Sequence, residues 1–446
     1  MRASWDLWAQ SILHLIIVPL FLMSVILTPH HTKWTFGKLA VVLFITAVIS
    51  YLFSVDKYVS RSELFVLFDC IAVGFIVSSF TSKEREKLYN IPIFIGLFLS
   101  FVLAGYFFRD PIKYFRYDPI TLIELFVNFN VIAGYLICAF GLAIGFVLTS
   151  VDEKRKCYLF LSSVLFIGLL LTKSRAALIA VIGIFLFLIL FKLKTKFKNL
   201  FLIILIALIC FFIFLVFFKI KLYRPWETGI LPNQISWWIA GIKMFLANSL
   251  VGVGIGNFGN LYPMYKLGKE LNTMYAHNIF IQISSELGII GLLSFLWIIC
   301  LFLKTVLFEY RNQHKISGPS LGIIAFLTVN IFGFSYFIPA NMILFWAMLG
   351  DYSKKTVKEL YLLQTIKSSV KTVLWCILVF LIFLWIFLVV NIFVANREFA
   401  MGEYQYNIKN YNVALQHFNK SLKYDKTNPQ VYYYQTKIYQ HYYGKE

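Results

Sequence analysis

The sequence predicts an all-α polytopic membrane protein, and three observations support this fold class. Hydrophobic residues make up 60% of the 446 positions and charged residues only 14%, and the mean hydropathy is +0.77. Apolar runs of about 20 residues recur along the chain, and short charged segments separate them. Runs of this length cross a bilayer as helices, whereas a soluble protein of this size could not bury so much apolar surface.

About twelve transmembrane helices are expected from these runs. The runs lie near residues 8–28, 36–54, 63–81, 91–108, 121–149, 157–172, 175–191, 199–218, 279–303, 321–338, 340–350 and 372–394. The run at 121–149 is longer than one span requires, and the run at 340–350 is shorter. Together with their loops, the runs form a predicted transmembrane domain at 1–395, and residues 396–446 form a predicted helical tail.

The tail carries a pattern typical of a tetratricopeptide helical hairpin. The small residue Ala414, the aromatic Phe418 and the closing Pro429 match that pattern, and a third helix near 431–443 is expected to cap it. One repeat is fewer than such a fold needs for independent stability. We therefore expect the tail to pack on the bundle, on a second copy or on a protein partner.

The formal net charge of +20 would suggest nucleic-acid binding in a soluble protein. Here the basic residues concentrate in short loops, where membrane orientation and anionic headgroups account for them. We therefore expect membrane lipids as partners and no nucleic acid. The loops expected in the cytoplasm are 83–87, 154–156, 192–198 and 354–371. Because successive connections alternate between the two sides, four segments are expected on the extracytoplasmic side: the 109–120 segment, the 173–175 turn, the 219–276 loop and the tail.

The six cysteines are scattered along the chain and do not form a recognisable framework. None belongs to a Cys-x-x-Cys pair or to a Cys/His cluster. The sequence therefore predicts neither a disulfide framework nor a zinc site, and no metal and no cofactor is expected.

The 219–276 loop is the only long polar connection between the predicted spans, and loops of this length are usually functional. It contains an amphipathic, helix-like stretch at 234–248 and a glycine-rich run at 252–259. The glycine run lacks the strand and helix that flank a dinucleotide site. We interpret it as a tight turn at the membrane surface.

Residues 276–291 follow this loop, beginning polar and continuing as an apolar helical pattern. At 100° per residue, His277 shares one helix face with Gly288 and Gly291, and Glu286 points to the opposite side. The glycines would let another backbone approach closely. His277 is a candidate general base because histidine titrates near neutral pH. Spacing alone leaves open whether it is catalytic or a structural residue at a helix start.

Four other charged residues near the spans are candidates for substrate binding. Arg175 could bind a phosphate through its guanidinium or could extend to lipid headgroups. Lys173 beside it is the weaker candidate, because it fits an ordinary interfacial lysine. Arg224 opens the long loop and could join Arg175 if the loop folds back over the bundle. Glu286 could contact substrate or pair with a basic group elsewhere in the bundle.

The order of these motifs resembles the O-antigen ligase and O-antigen polymerase superfamily. His277-Asn278, followed at fixed spacing by Gly288 and Gly291, is similar to the C-terminal signature of that family. Residues 248–258 resemble its preceding loop segment, and Ser174-Arg175 resembles its earlier serine-arginine motif. About twelve spans with one large external loop also fit the family.

The resemblance implies a GT-C-like, metal-independent, inverting glycosyltransferase in the cytoplasmic membrane, with its active site on the outer face. Its donor would be a glycan on undecaprenyl diphosphate. His277 would be the catalytic base, and Arg175 and Arg224 would hold the diphosphate. Further candidates for substrate contact are Asn278, Glu286 and Lys173. The sequence departs from the family near Gln234, where related loops often carry an arginine, so Arg224 is the nearest substitute.

Several functions share these motifs and differ in the acceptor. A ligase uses lipid A core or another surface molecule, a polymerase uses a second lipid-linked glycan, and a protein O-oligosaccharyltransferase uses a protein hydroxyl. The tail could bind a protein partner in any of them. A transporter of lipid-linked glycans is an alternative of a different class, although the sequence shows no convincing internal repeat of the kind transporters carry.

Overall fold

The computed structural model describes residues 7–27, 32–111, 114, 128–192, 230–267, 272–313, 316–355 and 368–443. Arg224 and the predicted span at 199–218 lie outside these described residues. The part of the chain that is described is helical except for loops and two three-residue strands.

The helices are numbered in chain order within the described residues. They are α1 (Leu7–Leu27), α2 (Gly37–Leu52), α3 (Lys57–Ser79), α4 (Ser82–Arg109), α5 (Phe129–Thr149), α6 (Asp152–Leu171), α7 (Arg175–Lys192), α8 (Ile230–Ala247), α9 (Phe258–Tyr265), α10 (Ile279–Gln313), α11 (Gly318–Asn330), α12 (Pro339–Gly350), α13 (Ser368–Asn407), α14 (Tyr411–Tyr424) and α15 (Pro429–Tyr443). The strands β1 (Thr32–Trp34) and β2 (Ser353–Lys355) pair antiparallel.

This arrangement confirms the predicted all-α polytopic class. Five helices in the described chain are long and apolar enough to cross a membrane: α3, α4, α5, residues 279–312 of α10 and residues 382–407 of α13. Shorter apolar helices accompany them at 10–24, 37–52, 175–189, 318–330 and 339–350. A helix occurs at every predicted apolar run except 199–218, which lies outside the described residues.

The predicted run at 321–338 does not form one helix. α11 ends at Asn330, whose Oδ1 accepts a hydrogen bond from Tyr336 N at 2.7 Å. A 3₁₀ turn at Ser335–Phe337 then leads into α12. Hydropathy hid this break because the connecting residues 331–334 are mostly apolar.

The centre of the bundle is α5, which is buried along nearly its whole length. Glycines bring its backbone close to α11. A Cβ at Gly141 would lie 2.6 Å from Gly322 N, and a Cβ at Gly145 would lie 2.1 Å from Gly318 Cα. Such close approach of small residues is how membrane helices gain packing energy without a hydrophobic driving force.

One end of the bundle, here called the basic end, carries loops that the sequence places in the cytoplasm. Arg85 at the start of α4 donates a hydrogen bond to Asp351 O, after α12. Lys154 Nζ at the start of α6 lies 3.8 Å from Glu86 Oε1. The β1–β2 pair also joins the α1–α2 connection to the residues after α12.

The other end, here called the His277 end, gathers the remaining connections. Val55, between α2 and α3, donates to Val253 O at 3.4 Å. Ser335 Oγ donates to Asn130 O, at the start of α5, at 3.0 Å. The glycine-rich run, the start of α5 and the α11–α12 connection therefore lie at one end.

The C-terminal helices pack against the His277 end. α13 continues without a break across the predicted domain boundary at 395/396, and Tyr58 OH donates to Asn396 Oδ1 at 3.1 Å. Arg61 Nη2 lies 2.5 Å from Asp425 Oδ2. Ala414 and Phe418 are fully buried in the core of the tail. The tail is thus a helical hairpin packed on α13, and its assignment as a tetratricopeptide repeat stays a prediction.

Candidate functional site

His277 lies in the turn before α10, in a left-handed backbone conformation with φ of 55°. Its ring stacks on Trp237 of α8 at 4.5 Å between centroids and meets Phe334 edge-on at 4.7 Å. Among the described residues, its ring nitrogens have no hydrogen-bond partner. Burial lowers the pKa of His277 to about 4, so the imidazole is neutral near pH 7 and can accept a proton.

His277, Gly288 and Gly291 do not share one helix face, contrary to the prediction. α10 begins at Ile279, so His277 precedes the helix, and the helix is interrupted at Gly288, where φ is 67° and ψ is −164°. The prediction assumed a continuous helical period. The glycine at the interruption does, however, permit the close backbone contact that was expected.

Asn278 is the N-cap of α10. Its Oδ1 accepts hydrogen bonds from Phe280 N at 2.9 Å and Ile281 N at 3.0 Å. Its Nδ2 donates to Ile331 O at 3.0 Å. These bonds satisfy the first turn of the helix and join it to the α11–α12 connection. The structure therefore gives the Asn278 amide a role in supporting the site.

Aromatic side chains of α8 pack against the turn that carries His277 and against the α11–α12 connection. The predicted amphipathic stretch at 234–248 is confirmed as a helix, observed at Ile230–Ala247. Trp238 packs against Phe332 at 6.3 Å between ring centroids. Gln234, where related loops often have arginine, donates through Nε2 to Phe332 O at 3.3 Å. Tyr275 stacks on Phe334 at 5.1 Å and nearly parallel.

The predicted tight glycine turn is observed at the His277 end of the bundle, where other segments pack around it. Gly252, Gly254 and Gly256 have positive φ values of 72°, 104° and 80°, which glycine adopts without strain. A Cβ at Gly254 would lie 2.4 Å from Ser54 Oγ. Asn257 is fully buried, and its Nδ2 donates to Ser54 Oγ at 2.7 Å.

The glycine-rich run is inserted where α10 is interrupted. Val253 N donates to Ser285 O at 2.9 Å, and Gly254 N donates to Glu286 O at 3.2 Å. In return, Ile289 N donates to Ser249 O at 2.8 Å. These bonds replace helical bonds that the interruption at Gly288 removes, so the backbone groups stay satisfied inside the membrane domain.

Glu286 is buried and is hydrogen-bonded to amide groups in the described structure. Its Oε1 accepts from Gln282 Nε2 at 2.7 Å and from Phe258 N at 3.2 Å. Gln282 Oε1 in turn accepts from Ala276 N at 2.6 Å. The predicted basic partner of Glu286 is absent among the described residues. Its carboxylate instead links the glycine-rich run to the residue before His277.

A cavity of about 100 Å³ lies beside this hydrogen-bond series. It is bordered by Glu63 of α3, by Gln282 and Glu286 of α10, and by Tyr275 and Tyr336. Sequence reasoning missed both Glu63 and Gln282. An acidic residue at the start of an apolar run is a signal that could have identified Glu63, whereas Gln282 carried no such signal.

The predicted phosphate-binding turn lies between α6 and α7. Lys173 has φ of 54°, and its Nζ donates to Tyr114 O. The ammonium also lies 4.5 Å from the Tyr114 ring centroid and 5.4 Å from that of Phe129. Lys173 is therefore engaged in contacts within the protein. Arg175 begins α7, where backbone N–H groups and the helix dipole favour an anion.

The start of α5 connects this turn with the surroundings of His277. Phe129 contacts Lys173. Val131, in the same first turn of α5, packs with Phe334 in a small apolar cluster. Phe334 contacts the His277 ring. The structure therefore brings Lys173, Arg175 and His277 to the same end of the bundle, while Arg224 lies outside the described residues.

The fold defines a class: a multi-pass helical membrane protein, with His277 in the connections at one end of the bundle. Residues 158–296 match the protein-family model described as O-Antigen ligase. This match spans Arg175, the glycine-rich run and His277, and it confirms the resemblance to the O-antigen ligase and polymerase superfamily. The family supports a glycosyltransferase-like membrane enzyme whose substrates are a lipid-linked glycan and an acceptor. Comparison with curated proteins finds no match.

Proposed function

We propose that the protein transfers a glycan from undecaprenyl diphosphate to an acceptor hydroxyl, in the manner of an O-antigen ligase. The observation that carries this proposal is the neutral His277 imidazole, which has no hydrogen-bond partner among the described residues and lies in the segment that matches the family. A base must be unprotonated and within reach of the hydroxyl proton. His277 meets the first condition, and its position at a polar end suits the second.

The proposed reaction is a single displacement. His277 takes the proton of the acceptor hydroxyl while the hydroxyl oxygen forms a bond to the anomeric carbon. The bond from that carbon to the diphosphate oxygen breaks, and the diphosphate leaves with the electron pair. Attack opposite the leaving group inverts the anomeric carbon, and no metal takes part. The negative diphosphate also favours the imidazolium, which compensates for the low pKa of the free base.

Arg175 is the proposed anchor of the diphosphate. Its guanidinium can form two parallel hydrogen bonds to phosphate, and the N-terminus of α7 adds positive potential. Charge grows on the diphosphate as the bond breaks, so these groups stabilise the transition state more than the ground state. Arg224 is proposed as the second cation, on the resemblance alone.

The proposed location is the bacterial cytoplasmic membrane, with the His277 end on the outer face. The opposite, basic end carries Arg85, Lys154 and neighbouring lysines. Basic loops stay preferentially in the cytoplasm during insertion. This orientation leaves His277 and the tail outside, where a partner of the tail could also approach.

Transfer from a purified undecaprenyl-diphosphate glycan tests the proposal, with products identified by mass spectrometry. His277→Ala should lower the rate about 10²-fold or more, the usual contribution of a positioned base. His441→Ala, in the tail and away from the site, is the matched control and should retain the wild-type rate. Full transfer by His277→Ala would refute the base assignment.

The same assay separates the alternatives by their acceptors. Separate reactions receive a lipid A core, a second lipid-linked glycan and a protein with accessible hydroxyls. Product from only one of them identifies a ligase, a polymerase or a protein O-oligosaccharyltransferase, respectively. Movement of the donor between leaflets without any new glycosidic bond would instead establish a transporter.

A further inference from the structure

The backbone at His277 requires support from its neighbours. A φ of 55° is uncommon for a residue with a side chain and costs free energy unless the surroundings hold it. On the C-terminal side, Asn278 caps α10. On the N-terminal side, Ala276 is fully buried, and its N–H donates to Gln282 Oε1 at 2.6 Å. The turn that carries His277 is thus held at both flanking residues.

Gln282 can support Ala276 only in one orientation of its amide. Its oxygen must face the Ala276 N–H, and its nitrogen must then face an acceptor. Glu286 Oε1, one helical turn later, is that acceptor at 2.7 Å. Both side chains are buried, with 1% and 4% of their surface exposed, so loss of either bond would leave a buried polar group without its protein partner.

Glu286 is itself held by the glycine-rich run. Its carboxylate accepts from Phe258 N at 3.2 Å, and its backbone carbonyl accepts from Gly254 N at 3.2 Å and from Ser50 Oγ at 2.7 Å. Two other segments, the glycine-rich run and α2, therefore hold Glu286 in place. An unbroken series of hydrogen bonds leads from the glycine-rich run through Glu286 and Gln282 to the residue before His277.

We propose that Gln282 is a positioning residue for His277 and that Glu286 orients the Gln282 amide. This inference rests on the proposed role of His277 as the base. It assigns Glu286 the role of a hydrogen-bond acceptor within the protein and not of a carboxylate that binds substrate. Gln282 acts by keeping the imidazole at the place where the acceptor hydroxyl arrives.

The test uses the full-length protein in the transfer assay. Gln282→Leu and Gln282→Met remove both hydrogen bonds while keeping a side chain of similar size. Each should lower kcat about 10-fold or more, since small displacements of a catalytic group are costly, and should leave the KM for the donor within about 3-fold. Gln435→Leu, on the exposed face of the tail, is the matched control and should keep wild-type kinetics.

A double substitution separates positioning from a loss of structure. Gln282→Leu should cause no further loss of rate in a protein that already carries His277→Ala, because the group it positions is gone. An equal loss in both backgrounds would overturn the inference, as would a wild-type kcat for Gln282→Leu and Gln282→Met. If His277→Ala alone retains activity, the proposed function fails, and this outcome is distinct from failure of the positioning role.

Glu286 provides an independent test if the Gln282 variants do not fold. Glu286→Gln keeps an oxygen acceptor for Gln282 and Phe258 N, whereas Glu286→Leu removes it. Glu286→Gln should therefore retain at least about 10-fold more activity than Glu286→Leu. This ratio equals the fall in kcat expected when His277 is no longer held in position. Equal losses in the two variants would show that the negative charge matters and would refute the acceptor role.

Discussion

Substituting Gly288 by alanine should destabilise the protein strongly, because alanine fails at this position for two reasons. The backbone there has φ of 67° and ψ of −164°, a region open essentially to glycine, and forcing another residue into it costs about 1–3 kcal/mol. The new Cβ would also lie 2.3 Å from Leu250 O. Because backbone atoms form this contact, residues 250–251, which lead into the glycine-rich run, would have to move away from α10.

The expected magnitude follows from the bonds that this movement breaks. Three backbone hydrogen bonds join residues 249–254 to α10 around the interruption, and each contributes about 1 kcal/mol net. Together with the conformational cost, the total is about 4–6 kcal/mol. Since the same contact supports Glu286, transfer activity should fall as well.

Gly105→Ala is the matched control for this substitution. Gly105 lies in α4, and a Cβ there would meet no atom within 4 Å, so alanine should be neutral or stabilise by about 1 kcal/mol. The free energy of unfolding of both variants can be compared in mixed micelles by titration with a denaturing detergent. Equal stability of Gly288→Ala and Gly105→Ala would refute the assigned role of the interruption in α10.

Three further outcomes can be measured. Asn278→Ala should lower stability by at least about 1 kcal/mol through loss of the α10 cap, and Asn278→Asp should recover only part of it, because aspartate restores the cap but cannot donate to Ile331 O, as thermal unfolding will show. Since His277 has a pKa of about 4 and acts unprotonated, kcat/KM should stay level as pH falls from neutral and decline only near pH 4. A decline near the ordinary histidine pKa would contradict the burial of the ring. Arg61→Ala should speed hydrogen exchange in residues 411–424. In the wild type, burial raises the pKa of Asp425, but hydrogen bonds from Arg61 and Thr427 outweigh it and leave the pKa below its usual value. This pair should therefore stabilise the tail above about pH 4 and lose its effect as pH falls further.

Hydropathy predicted where helices form but not where they stop. Apolar runs of span length predicted α3, α4 and α5 because crossing a bilayer demands that composition. The end of α11 at Asn330 was missed because apolar residues follow it. The stop depends on the Asn330 side chain bonding to Tyr336 N, a contact that no local period reveals.

The sequence suggested His277 as a candidate for the site, but it did not reveal the residues that hold His277 in place. His277 was identified because its chemistry and its motif are both visible in the sequence. The interruption at Gly288 was missed because a single glycine fits a continuous helical pattern, and only the inserted run supplies the replacement bonds. Gln282 was missed because an amide gains its role from the particular donor and acceptor it faces.

The unbroken course of α13 has a mechanical consequence. A helix of 40 residues is about 60 Å long, so its membrane-spanning part and its tail part tilt as one rod. The tail is also fastened to the first turns of α3 through Arg61, close to Asp56, which caps that helix. A load applied to the tail by a bound partner would therefore reach the membrane domain through two helices, α13 and α3.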